Sequence, residues 1–163
     1  MKKIITVLFV ITLSVLGAML IDKERVIKPF DQIKHIVKPD PMVVNTYDDG
    51  QCTYYVFEQV KKQGNKIERS WWDAKYWADR AKEDGYTVNH TPKPGSIMQS
   101  SRGSLGHVSF IEKINSDGSF VVSEMNYSKP YEVTERTIHP VNTKRYLYIH
   151  PKVNPYAEKL NAA

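Results

Sequence analysis

One cysteine, Cys52, stands in a chain of 163 residues. No disulfide can therefore close within the chain, and the fold must rest on packing alone. The usual metal spacings are missing as well. There is no CxxC and no HExxH, so a zinc centre built on Cys52 with histidine and glutamate has little support. Asp48 and Asp49 invite calcium, yet no DxDxDG loop surrounds them. No metal and no cofactor are expected. Internal repeats and low-complexity tracts are also absent. The net charge is +5, but no basic stripe interleaves with the aromatics, which argues against nucleic acid as a partner.

What is present suits one modest domain with a real core, since 41% of the residues are hydrophobic. Lys2 and Lys3 precede an uncharged run over residues 4–21. As a helix it would extend about 27 Å, enough to just cross a bilayer. Lysines at its start keep that end on the cytoplasmic side, so export is expected. No Ala-x-Ala site follows, and no cysteine directly follows for lipid attachment. Residues 1–21 are thus a signal peptide or an uncleaved anchor, and both readings stay open. Residues 22–45, interrupted by Pro29, Pro39 and Pro41, read as a spacer. Residues 46–150 form the expected folded unit, and 151–163 a peripheral tail.

Within that unit the pattern predicts helices at 51–63 and about 73–84, with Val56 and Val60 as core candidates. Asp48 or Asp49 is expected to satisfy the free amides at the first helix start. Short strands follow at 97–99, 107–114, 119–126 and 144–150, with Asp117 and Gly118 turning the second into the third. Helices first and an antiparallel sheet after them make the class α+β. Strand alternation places Phe120, Val122, Glu124 and Asn126 on one face. A carboxylate ending an apolar face needs a polar partner. His107 opens the neighbouring strand, and the hairpin brings the two together.

A cysteine in the first turn of a helix meets unpaired N–H groups and the positive end of the dipole, and both favour thiolate. Cys52, His107 and Glu124 supply the roles of nucleophile, base and orienting acid. Asn126 is a second orienter or a supporting hydrogen-bond group. The Cys52 N–H and the Gln51 side chain could hold an oxyanion during attack on an amide or ester. Each residue also has a plainer reading: a buried small hydrophobe, a loop histidine, a sheet-edge glutamate, a turn-capping asparagine.

The segments GQCTYYV (50–56), GHVSFIE (106–112) and VSEMN (122–126) resemble the CHAP family, the cysteine, histidine-dependent amidohydrolases/peptidases. PKPGSIMQS (92–100) and YLYIH (146–150) are similar to its staphylococcal secretory-antigen type. The resemblance implies a papain-like, NlpC/P60-like α+β fold that cuts peptidoglycan, as an N-acetylmuramoyl-L-alanine amidase or a stem and cross-bridge endopeptidase. It implies Cys52 as nucleophile, His107 as base, Glu124 as orienting acid, Asn126 as the accompanying polar residue and Gln51 beside the nucleophile. Trp71, Trp72 and Tyr127 are the candidates for a substrate groove. The expected enzyme is monomeric, faces the cell wall in secreted or membrane-anchored form, and carries a charge suited to anionic wall polymers. A non-catalytic wall-binding module and a cysteine peptidase acting on protein are the competing readings.

Overall fold

The computed structural model describes residues 40–157; the segments 1–39 and 158–163 lie outside the described residues. The candidate signal or anchor at 4–21 and most of the spacer therefore fall outside them. No helix among the described residues is long and apolar enough to cross a membrane.

Helix α1, Cys52–Lys62, forms because Cys52, Val56 and Val60 recur at four-residue spacing and make one buried stripe, joined by Phe57. Lys61 and Lys62 sit in its last turn, where cations answer the helix dipole. The second expected helix divides into a 3-10 turn, Ala74–Tyr76, and helix α2, Trp77–Glu83. It buries Trp77, Ala78 and Ala81, while Tyr76 stays exposed.

A six-stranded antiparallel sheet runs in the order β2 (Thr87–Asn89), β7 (Leu147–His150), β3 (Ile97–Ser100), β4 (His107–Ile114), β5 (Phe120–Met125) and β6 (Val133–Ile138). Two of these strands, β2 and β6, have no counterpart in the sequence reading. The edge strand β6 turns Thr134, Arg136 and Ile138 away from solvent and leaves Val133, Glu135 and Thr137 exposed. With one apolar residue among its three inward positions, it lacks the alternation that marks a strand. The last strand is also shorter than expected, because Pro140–Arg145 form a 3-10 turn before it.

The sheet carries a core on each face. On the helix side, Val108, Phe110, Ile97 and Ile149 pack with Phe57, Trp71 and Trp77. On the far side, Met98, Ile111, Phe120, Val122, Ile138 and Tyr148 form a second cluster. Each such fully buried side chain stabilises the fold by about 1.5–3 kcal/mol relative to exposure.

The folded body is larger than the expected 46–150. Met42 is buried in the helix-side core. Lys152–Val153 (β8) pair with Asn65–Lys66 (β1), and Asn154 donates from Nδ2 to Asp40 Oδ1 at 3.0 Å. Residues on both sides of the expected boundaries are thus tied into the domain.

Candidate active site

Gly50 and Gln51 set up the entry to α1. Gly50 takes φ +81°, and a Cβ added there would lie 2.7 Å from the Tyr131 ring. The Tyr131 N–H donates to the Gly50 carbonyl at 3.1 Å, so the β5–β6 loop lies strapped across this turn. Gly50→Ala should lower the unfolding free energy by about 2–4 kcal/mol, through backbone strain and the clash together. Chemical denaturation measures it, and adding Tyr131→Ala should recover the part due to the clash. Unchanged stability of the single variant would refute the strap.

The aspartates do not cap the helix as expected. Asp49 Oδ1 accepts the Gly50 N–H at 2.9 Å, and no side chain caps α1 at Gln51. The first intrahelical bond runs from Tyr55 N–H to the Gln51 carbonyl at 3.1 Å. The amides before Tyr55 therefore have no partner within the helix, and the Cys52 N–H is among them. Asn126 holds Gln51 from the other side, donating from Nδ2 to its Oε1 at 2.7 Å. This turns the Gln51 NH2 group toward other acceptors. Asn126 does not extend the Glu124 face, because β5 ends at Met125 and Asn126 adopts φ +58°. Of the two roles expected for Asn126, support rather than orientation fits its position.

His107 enters β4 through Gly106, where a Cβ would meet the Lys75 backbone nitrogen at 2.5 Å. Only a residue without a side chain permits that approach, which lets Lys75 N–H donate to the Leu105 carbonyl at 2.8 Å. Gln99 on β3 holds the same 3-10 turn through the Ala74 and Lys75 carbonyls. His107 Nε2 lies 2.8 Å from Glu124 Oε2. An ionised carboxylate only accepts, so Nε2 carries the proton and Nδ1 is left for the Cys52 thiol.

Glu124 is fully buried. Ser109 Oγ donates to its Oε2 at 2.7 Å, Arg136 Nη2 donates to Oε2 at 3.0 Å, and Arg136 Nε donates to Oε1. Arg136 and Ser109 were not anticipated. Strand register could have suggested both: Ser109 shares the His107 face of β4, and Arg136 lies opposite Val122, on the Glu124 face.

These contacts decide the charges. Burial alone would raise the Glu124 pKa, but the bonds from His107, Arg136 and Ser109 outweigh it and lower it to about 2. Burial alone would lower that of His107. The bonds and charges of Cys52 and Glu124 prevail, and raise it to about 9. A raised histidine value stabilises the folded state fully below about 6.5, and that contribution is lost as pH rises through about 9. The depressed Glu124 value acts in the opposite sense: its contribution is present above about 4.5 and is lost as pH falls toward 2. NMR titration of the His107 ring should give a midpoint near 9; an ordinary midpoint near 6.5 would contradict the charged dyad.

Cys52, 8% exposed, opens into a cleft of about 570 Å³ also lined by His107, Gln51, Asn126, Trp72 and Leu105. Trp72 is 62% exposed with φ +60°, and its ring carries Arg80 at 4.5 Å. Trp71 is not in the groove. It is fully buried among Trp77 and Tyr86, and its Nε1 donates to Asp84 Oδ2 at 2.7 Å. Tyr127 stands beside the His107 ring, edge-on at 5.7 Å, and does not line the main cleft.

A sequence profile described as the CHAP domain matches residues 42–126. The chain belongs to the CHAP family. Over 107 residues, 65% of its length, it is 50% identical to the "Probable autolysin SsaALP" of Staphylococcus aureus (strain NCTC 8325 / PS 47). It is 51% identical over the same extent to "Staphylococcal secretory antigen ssaA2" from the same strain. The matches span 40% and 39% of those relatives, so this CHAP protein corresponds to well under half of each. Among solved structures, it resembles an N-acetylmuramoyl-L-alanine amidase from Staphylococcus aureus, with a TM-score of 0.61 and 36% identity. That likeness covers 66% of this chain and 34% of the amidase. It agrees with the CHAP-type, papain-like α+β architecture.

Proposed function

We propose that this CHAP protein is an exported peptidoglycan hydrolase that cleaves an amide bond through Cys52. The observation that carries the reading is a thiol and an imidazole lining one open cleft, the imidazole itself held by a buried carboxylate.

In this mechanism Cys52 Sγ attacks the amide carbonyl carbon as thiolate, with His107 as imidazolium. The Cys52 N–H and the Gln51 NH2 group donate to the developing oxyanion. His107 Nδ1 gives its proton to the leaving amine as the C–N bond breaks, which leaves a thioester. His107 then takes a proton from water, the hydroxyl attacks the thioester carbonyl, and a carboxylate leaves as the thiolate returns. Glu124 holds the Nε2–H throughout and stabilises the cation. Trp72 offers a stacking surface to the sugar or peptide beside the reacting bond. The names of the relatives, an autolysin and a secretory antigen, support wall hydrolysis and export. The amidase likeness supports the muramoyl–L-alanine bond, with stem or cross-bridge peptide bonds as the alternative.

The test is digestion of purified peptidoglycan by the full chain, with fragments read by mass spectrometry. A new amine and carboxylate pair at one defined bond is the expected product, and its position decides between amidase and endopeptidase. Intact peptidoglycan after incubation with demonstrably folded protein would overturn the reading.

A further inference from the structure

His107 also lines a second cavity, of about 170 Å³, with Ser100, Arg102, Tyr127, Arg136 and Tyr146 among its other walls. That volume corresponds to about five or six water molecules, enough for a small anion. Strand alternation places it on the sheet face away from α1, since Met98, Ser109 and Arg136 all belong to that face. The imidazole is thus a wall common to two spaces of different character. The main cleft includes Asp48 and Asp73, whereas no acidic residue lines the smaller cavity.

We propose that this smaller cavity is an oxyanion subsite, holding a carboxylate or a phosphate between Arg102 and Arg136. Its walls carry two guanidinium groups and no carboxylate. Glu124 supplies one negative charge behind the wall, and both its oxygens are already taken by His107, Ser109 and Arg136. Against it stand the Arg136 guanidinium, the imidazolium and Arg102, whose side chain forms no ion pair among the described residues. Arg136 gives two of its five N–H donors to Glu124. The Tyr127 ring fixes its plane at 4.1 Å, so its remaining donors keep a set direction. Hydroxyls of Ser100, Tyr127 and Tyr146 add neutral donors suited to a planar or tetrahedral oxyanion. An occupant would touch the imidazole that faces the thiol, which links this subsite to the reacting centre. The binding claim itself does not depend on what reaction occurs there.

The experiment follows the ring resonances of His107 and Tyr127 by NMR in the full chain, held in detergent micelles at fixed pH and ionic strength. Acetate and N-acetylglycine form the carboxylate arm, and inorganic phosphate and glycerol 2-phosphate the phosphate arm, each replacing chloride. Saturable shifts of both rings are expected in at least one arm. The tighter arm identifies the source, a substrate carboxylate or a wall-polymer phosphate. Arg102→Gln, which leaves the dyad untouched, should weaken binding about tenfold, while Arg102→Lys retains most of it. Shifts that fail to saturate in both arms, or equal affinity in Arg102→Gln with its amide spectrum intact, would overturn the proposal.

Discussion

Cys52→Ala is expected to abolish peptidoglycan cleavage, lowering the rate by at least about 10⁴-fold. Without Sγ no thioester can form, and the remaining oxyanion donors act on water alone. Stability should fall by about 1–2 kcal/mol, because the variant loses a buried thiol and part of the support that Cys52 gives the His107 charge. The same substitution has a second readout. Cys52 heads the influences that raise the His107 pKa, so the ring of the variant should titrate below about 9. Undiminished cleavage would refute the nucleophile. An unmoved histidine midpoint would refute the thiol–imidazole pairing, whatever the rate.

Arg136→Met has the next largest expected effect, and it acts on stability as well as rate. The substitution leaves a fully buried carboxylate with His107 and Ser109 as its only donors among the described residues. Breaking a buried pair from one side typically costs about 3–5 kcal/mol. Glu124 must then bind a proton more readily or admit water, and in either case it holds the His107 N–H less well. A loss of about 10–100-fold in kcat/KM is expected from that misplacement. A double-mutant cycle isolates the cause. In a Glu124→Gln background the charge is already gone, so Arg136→Met should destabilise much less. Additive stabilities would show that Arg136 acts by packing rather than by answering that charge.

The centre of the site was legible because local rules fix it. A glycine turn before an apolar stripe at four-residue spacing puts Cys52 at a helix start. A hairpin with alternating faces must bring His107 to Glu124 whatever the rest of the chain does. Arg136 was not legible, since it belongs to an edge strand whose polarity hides its periodicity. Asn126 was placed on the wrong surface by extending strand alternation one residue too far, into a left-handed turn. Trp71 and Trp72 adjoin in sequence yet part company, one under Tyr86 and the other in the cleft. Composition cannot separate them; the positive φ of Trp72 does.

His107, Glu124 and Arg136 come from one contiguous meander, at sequence separations of 17 and 12. The link from Asn126 to Gln51 spans 75 residues. Short closures form faster than long ones, so the His107–Glu124–Arg136 cluster is expected to assemble before the Cys52 helix start docks against it. In the proposed mechanism the thiol has no imidazole to activate it until that docking. A chain threaded unfolded across a membrane would therefore travel as a harmless precursor, armed only by completing its tertiary structure. Latency of this kind needs no pro-segment, because the topology itself delays the assembly.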